Sequence, residues 1–494
     1  MSLVHFAIVN QNHNYMTAQT LSIAQHKFTD CQKRSLADIE EFLEDNERQE
    51  YTLKGFAGTG KTTLIIEIIR DYLSYNDKLD LAVCAPTNKA AQVLNQKLKA
   101  DRIPVCATTV HSMLGMLPRI DYKTGREYFY PSKASPYITR FEYEKTKQIR
   151  FNCSLILIDE ASMIGEELYQ HLKDALGNSP DTKIIYIGDS AQLPPVNEPD
   201  SQVFKFDGIC MTEVVRHGDE ILELATALRE NLEHDEPIST CESPLGTTVH
   251  LLRSRKQWRQ KMLDAFADFG TENPDKVRTV VWTNSMRVYL NNLIRRSIIP
   301  NYEEKFVVGE VLVAIKPVIR KAKKGEMVKD EYGRTVKAFD KIIVANTEEV
   351  VVQEVELIEL TFEPKAEINK SDKRNYTYHF HKIRLEGKED EILVISDSDK
   401  ERYKRHQNLL KKNALKLPED ERKEAWIDYF TLRDFNADVD YAYCLTAHKS
   451  QGSTFETVFV DASNIAKNQD VVERNKCLYV ACTRASTELV ILLP

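Results

Sequence analysis

Residues 55–62 read Gly55-Phe56-Ala57-Gly58-Thr59-Gly60-Lys61-Thr62, which fits the spacing G-x-x-x-x-G-K-[ST]. The stretch follows an apolar run, Tyr51–Phe56, and opens a helical pattern, Thr62–Leu73. Glycines let a backbone curl around phosphate oxygens, so that amide N–H groups and the positive end of the next helix face the negative charge. In that geometry Lys61 reaches the β- and γ-phosphates and the Thr62 hydroxyl ligates Mg2+. Gly55, Ala57, Gly58, Thr59, Gly60 and Thr63 complete the candidate cradle. Without its context the string is a Gly-rich turn. The strand before it and the helix after it favour a nucleotide site.

Downstream, Leu155-Ile156-Leu157-Ile158 runs into Asp159-Glu160, an apolar strand that delivers two carboxylates at its C-terminal end. Asp159 is placed to hold the Mg2+ shell, and Glu160 to orient or deprotonate an attacking water. A lone Asp-Glu is a solvated strand end. After a phosphate loop it reads as the second half of an ATPase or GTPase site.

The surrounding pattern is α/β. Strands are expected at Leu81–Ala85, Leu155–Ile158 and Lys183–Gly188, with helices at Lys89–Lys99 and Glu166–Leu176. Such alternation gives a parallel sheet covered on both faces. It returns at Val280–Trp282, Tyr441–Leu445, Val458–Val460 and Leu489–Leu492. Between these, Phe306–Ile395 is rich in Val, Ile, Thr and Tyr, as in a small β-barrel, and Asp399–Phe435 is a charged helical stretch. Pro118–Tyr130 flanks Lys123-Thr124-Gly125 and suggests a hairpin with a tight turn.

The chain has 494 residues, enough for roughly three domains at about 150 each. Its net charge of -8 argues mildly against nucleic acid, so any phosphodiester contacts must lie in a local groove. None of the nine cysteines forms a C-x-x-C pair, and buried thiols in a reducing compartment are the plain reading. His379 and His381 stand i, i+2 without further ligands nearby, and no structural zinc is expected. No apolar run approaches the ~20 residues of a membrane span, so a cytoplasmic protein is expected.

Several further motifs resemble those of superfamily 1B DNA helicases of the Dda-like and RecD-like kind, in the family's order, from Phe28 to Thr487. The resemblance implies two RecA-like P-loop NTPase domains with a β-hairpin (pin) insert and an SH3-like β-barrel plus helical tower insert. The implied division is 28–210 with the pin at about 115–150, then 211–300 with 437–494, and 301–436 with the tower at about 398–436. Residues 1–27 have no counterpart.

By the same resemblance, Gln32 of Phe28-Thr29-Asp30-Cys31-Gln32 reads the adenine edge, which favours ATP. Gln192, in Gly188-Asp189-Ser190-Ala191-Gln192-Leu193-Pro194-Pro195, senses the γ-phosphate. Arg216 of Thr212-Glu213-Val214-Val215-Arg216 and Arg484 of Tyr479-Val480-Ala481-Cys482-Thr483-Arg484 approach it from the second domain, and Gly452 joins the ATP site. Implied DNA contacts are Pro86, Thr87, Asn88, Thr109, His111, Thr283, Asn284, Thr446, His448 and Lys449, with Phe129 on the pin and Trp426 on the tower. Polar loops of this kind suit phosphate contacts, although N-capping explains each hydroxyl equally well.

The implied activity is ATP- and Mg2+-dependent 5′-to-3′ translocation on single-stranded DNA and unwinding of duplex DNA, in replication, recombination or repair. Implied partners are forked DNA and single-strand-binding or replication proteins; no membrane is implied, and the expected form is a monomer. A translocase that separates strands little, an RNA helicase, and a scaffold without turnover stay open at this point. The intact Lys61, Asp159, Glu160 and Arg484 weigh against the scaffold.

Overall fold

The computed structural model describes residues 28–494 except 132–134, 144–145, 196–197, 214–219, 235–247, 270–275, 321–326, 330–334, 338–340 and 371–375. At 142–143, 146–147, 327–329 and 335–337 the backbone alone is described. Arg216 and residues 1–27 lie outside the described residues.

Two parallel sheets form the frame. In the first lobe the strand order is Cys210–Met211, Glu50–Gly55, Lys183–Gly188, Leu155–Ile158, Leu81–Ala85, Thr108–Thr109. All its pairings are parallel. Leu81–Ala85 and Leu155–Ile158 are buried at every position, which is why they read as unbroken apolar runs rather than alternating ones. In the second lobe the order is Val249–Leu252, Ala485–Leu492, Phe455–Asp461, Val277–Val281, Cys444–Thr446, again parallel throughout.

The run expected as one strand at Tyr441–Leu445 is two. Val439–Tyr441 pairs antiparallel with Val311–Ala314 in the inserted sheet, and Cys444–Thr446 pairs parallel with Val277–Val281. A turn at Ala442-Tyr443 passes the chain from one sheet to the other. The inserted sheet is five-stranded and antiparallel, in the order Ile392–Ile395, Thr377–Leu385, Glu349–Thr361, Val311–Ala314, Val439–Tyr441. The ion pair of buried Arg278 with half-buried Glu349, at 2.7 Å, ties this sheet to the second lobe.

Two hairpins leave the first lobe. Met116–Asp121 pairs with Arg126–Pro131, and Ile138–Tyr143 pairs with Thr146–Phe151, the latter without a sequence expectation. Helices Asp397–Lys416 and Arg422–Phe435 pack on each other and return to the first hairpin. Six of the eight described cysteines are buried; Cys106 and Cys210 are exposed. No helix among the described residues is long and apolar enough to cross a membrane.

Candidate functional site

The phosphate loop leaves the strand Glu50–Gly55 and enters the helix Lys61–Tyr75. Gly58 and Gly60 take φ of +79° and +81°, a left-handed backbone that a side chain would strain, and Gly60 caps the helix there. The helix N-terminus is therefore free of a side-chain cap, and its amides face the loop. Lys61 Nζ donates to the carbonyls of Gly55 at 2.6 Å and Phe56 at 3.0 Å, so the ammonium is held against the loop it would serve.

The strand Leu155–Ile158 ends at Asp159 and Glu160, two strand positions from the loop, with Lys183–Gly188 between. Burial, then the neighbouring Glu160, pushes the Asp159 carboxyl up to about 6, against the pull of Lys61 and Lys97. Glu160 sits at φ +54°, a conformation costing about 1–3 kcal/mol for a residue with a side chain. Its Oε2 is buried without a hydrogen-bond partner. Two crowded carboxylates and the Thr62 hydroxyl make a hard-oxygen donor set of the kind a small divalent cation takes.

Gln32 lies in the helix Asp30–Glu44. Its Oε1 accepts from the Thr29 amide at 3.0 Å in a capping box, and its Nε2 donates to the Thr59 carbonyl at 3.3 Å. Both amide functions thus hold the helix end against the phosphate loop. Reading a base would require the side chain to exchange these partners.

The second lobe closes the crevice. Arg484 stands at the start of the strand Ala485–Leu492, and its guanidinium donates to the carbonyls of Val480 and Ser453 and to the Thr483 hydroxyl, each at 3.0 Å. Burial lowers its pKa, while Glu160, Tyr479 and Asp189 act in the opposite direction. Gln451 Nε2 crosses to Leu193 O at 3.0 Å and to Gln192 Oε1 at 3.4 Å. Ala191 and Leu193 of the first lobe share one buried apolar cluster with the second.

A row of threonines marks the other end of each sheet. Thr87 follows the strand Leu81–Ala85, and Thr109 ends the strand Thr108–Thr109, which pairs with it. In the second lobe Thr283 follows Val277–Val281, and Thr446 ends its partner strand. Each of the four hydroxyls caps a helix, accepting from the amide three residues on: Ala90, Ser112, Met286 and Lys449. The lobes therefore present the same device twice, at strand C-terminal ends, where open parallel sheets place ligands. Thr109 stands four strand positions from the phosphate loop, or roughly 19 Å at the ordinary strand spacing.

The remaining candidate residues divide. Pro86 and Asn88 share the Thr87 turn, and Asn284 accepts from Arg287 Nε at 3.3 Å. Lys449 Nζ donates to Ile315 O at 3.2 Å, which ties the Thr446 turn to the insert. His448 stands 4.0 Å from Glu473, and burial lowers its pKa. The His111 ring lies tilted against Phe129, with ring centroids 4.7 Å apart, and Phe129 is 37% exposed on the second strand of the first hairpin. Gly452, at φ +72°, approaches Ala90 so closely that a Cβ there would stand 3.1 Å from the alanine Cβ.

Trp426 corrects the expectation of a ring facing nucleic acid. It is 1% exposed, packed with Ile120, Tyr122 and Phe430, and a Cβ on Gly125 would fall 2.2 Å from its indole. The tryptophan is the seat of the hairpin tip on the helical insert.

Sequence reasoning passed over four residues. Tyr479 was quoted as the first letter of a motif but assigned nothing. Gln451 lies in Thr446-Ala447-His448-Lys449-Ser450-Gln451-Gly452-Ser453, which resembles a helicase motif, and Lys97 in the expected helix Lys89–Lys99, neither with a role of its own. Asn464, whose Oδ1 accepts the amides of Trp282 and Thr283 at 3.0 and 3.1 Å, sets the Thr283 turn. The one available signal was polarity inside apolar segments, as in Tyr479 and Asn464, both buried.

Fold and crevice define the class: a P-loop NTPase built on two parallel-sheet lobes. Residues 41–198 match the family model of an AAA domain, and residues 441–492 match that of a UvrD-like helicase C-terminal domain. An uncharacterised protein of Acanthamoeba polyphaga mimivirus is 25% identical over 510 residues, covering 94% of this chain and 99% of its own. The ATP-dependent DNA helicase Dda of Enterobacteria phage T4 is 24% identical over 467 residues, covering 92% of this chain and 97% of its own. A solved Pif1 helicase from Bacteroides, in complex with ADP-AlF3 and ssDNA, has a TM-score of 0.42 at 15% identity over 95% of each chain. Within that class the chain resembles the helicase Dda over nearly its whole length.

Proposed function

We propose that this chain is an ATP-dependent DNA helicase that moves 5′ to 3′ on single-stranded DNA and opens duplex ahead of it. The observation that supports the reading is the phosphate loop with Lys61 and the Asp159-Glu160 strand end on one lobe, joined to the second lobe through Tyr479 and Gln451, with threonine-capped turns on both lobes. The likeness to the ATP-dependent DNA helicase Dda supports DNA as the substrate, and the direction of travel is the one the motif resemblance implies.

ATP would lie against the phosphate loop, and Thr62 and Asp159 would hold Mg2+, which would neutralise charge on the phosphate oxygens. Glu160 orients the attacking water. Arg484 and Gln192 meet the charge that develops on the transferred phosphoryl group, a role that Arg216 has by the motif resemblance alone. Closing and reopening of the crevice changes the distance between the two pairs of threonine turns, which is the two-state element a stepping motor needs. The helix N-termini at Thr87, Thr109, Thr283 and Thr446 grip phosphates without reading bases. The hairpin Met116–Pro131 is the pin, with Phe129 as its stacking ring. The antiparallel insert is the SH3-like domain and the helices beyond it the tower. Mg2+, a monomeric form, and single-strand-binding or replication proteins as partners belong to the same reading.

A strand-displacement assay with 5′-tailed and 3′-tailed duplexes tests it. Unwinding of the 5′-tailed substrate alone, dependent on ATP, is expected. Unwinding of neither, with DNA-stimulated ATP turnover, would make the chain a translocase instead. Stimulation by RNA above DNA would change the substrate.

A further inference from the structure

From Asn475 to Cys482 every residue of the helix Val471–Cys482 is buried, yet two polar groups reach the other lobe: Lys476, whose ammonium donates to Asp200 at 3.1 Å, and Tyr479. The Tyr479 hydroxyl donates to Asp189 Oδ2 at 2.6 Å and accepts from the Ala57 amide at 3.1 Å. A single oxygen therefore joins the phosphate loop, the loop after the strand Lys183–Gly188, and the second lobe. Asp189 is fully buried, and its Oδ1 accepts from the Ala191 amide at 2.9 Å. A buried carboxylate held in this way depends on its hydrogen bonds, and those made to an ionised acceptor are the stronger kind.

The contacts continue beyond Asp189. Its carbonyl accepts from the Gln192 amide at 3.1 Å, and the Gln192 side chain accepts from Gln451. Gln451 precedes Gly452, which packs on Ala90 in the first turn of the Thr87-capped helix. A buried path of hydrogen bonds, completed by the close approach of Gly452 to Ala90, thus runs from the phosphate loop to the turn at Thr87, crossing between the lobes four times.

We propose that Tyr479 is a positioning residue that couples the phosphate loop to the DNA-facing turns through Asp189 and Gln451. The inference rests on the helicase reading above and gives its two ends a physical link. Amides of a phosphate loop are the groups that a triphosphate claims. The Ala57 amide is here given to a hydroxyl of the opposite lobe. A nucleotide that draws on that N–H changes what Tyr479 holds while leaving its bond to Asp189 in place. The contact therefore differs between nucleotide states, which is the condition for a ligand to shift a conformational equilibrium. Burial and the Asp189 carboxylate both raise the phenol pKa, so the hydroxyl stays a donor throughout the working pH range.

The test is Tyr479→Phe, which removes one oxygen and keeps the ring, with Gln451→Leu as an independent break further along the path. ATP turnover is measured with and without saturating single-stranded DNA. Affinities for a fluorescent ATP analogue and a labelled oligonucleotide are measured directly, with thermal melting as the control for folding. For each variant the ratio of DNA-stimulated to unstimulated turnover should fall about tenfold or more, with both dissociation constants within about threefold of the parent. If melting and both affinities fall together, the tyrosine is a packing residue and the proposal is wrong. A parental stimulation ratio in either variant also overturns it. If the parent itself shows no stimulation by DNA, the motor reading goes first and the coupling with it.

Discussion

The ammonium of Lys97 stands 3.1 Å from the hydroxyl of Thr62, so a fixed cation from the helix Asn88–Ala100 touches a group assigned to Mg2+. Lys97 also acts on the Asp159 carboxylate, which lowers the carboxyl's pKa against the effect of burial. At the proposed Mg2+ site the lysine and the metal would compete for the same oxygens.

Lys97→Met should therefore lower the Mg2+ concentration needed for half-maximal nucleotide binding. For a pair this exposed, worth about 0.5–1 kcal/mol, the expected shift is roughly two- to fivefold. Titrating Mg2+ against binding of a fluorescent ATP analogue reads it directly, and a raised requirement would mean that Lys97 assists the metal instead.

Lys61→Ala should reduce ATP turnover by about 10²-fold or more, the scale for losing one transition-state donor. Its present partners are two carbonyls of its own loop, so the fold has other means of holding that segment. Near-normal turnover in a folded variant would remove the phosphate-site assignment.

Phe129→Ala should slow strand separation and leave DNA-stimulated ATP turnover mostly intact. Stacking a ring on a base is worth about 1–3 kcal/mol, and Phe129 keeps an exposed edge while resting on His111. Comparing both rates on forked and on single-stranded substrates separates the two roles. A parallel fall in the two would make the ring a packing residue.

Gly125→Ala tests the seat of the hairpin. The added methyl would meet the Trp426 indole at 2.2 Å, at a residue with φ +71°. The hairpin would have to lift, straining the paired hydrogen bonds of Arg433 to Glu127 at 2.6 and 2.9 Å. Unwinding should fall several-fold with ATP turnover retained, and indole fluorescence should report a more exposed tryptophan. Unchanged fluorescence with unchanged unwinding would show that the tip is not held there.

Acid should weaken the fold through two histidines. Burial lowers the pKa of His111, with His171 adding to it and Glu167 opposing, and burial lowers His448 against Glu473. Below about pH 6.5 the unfolded chain takes protons at these sites that the folded chain resists, so their stability is present above that pH and lost as pH falls toward the folded values. Replacing both by Gln should reduce the drop in melting temperature between about pH 7.5 and about pH 5.5. An undiminished drop would exclude them as its source.

What could be read along the chain was whatever is contiguous in it. The phosphate loop, the Asp159-Glu160 strand end and the capping threonines each depend on a few neighbouring residues. Burial on both faces makes strands such as Leu81–Ala85 legible as apolar runs. Where the chain passes between sheets, as at Val439–Tyr441 and Cys444–Thr446, periodicity marks extended backbone but not its partner. The Ile138–Tyr143 hairpin and the strand Val249–Leu252 went unread.

Packing alone decided which distant side chains meet. Ala57 and Tyr479 are separated by 422 positions, Glu127 and Arg433 by 306, and Thr62 and Lys97 by 35. Local patterns encode which face of a segment turns inward. A hydrogen bond between segments depends on where the folded lobes come to rest, so Tyr479 became a bridge and Trp426 a buried seat only once the lobes and the insert had docked.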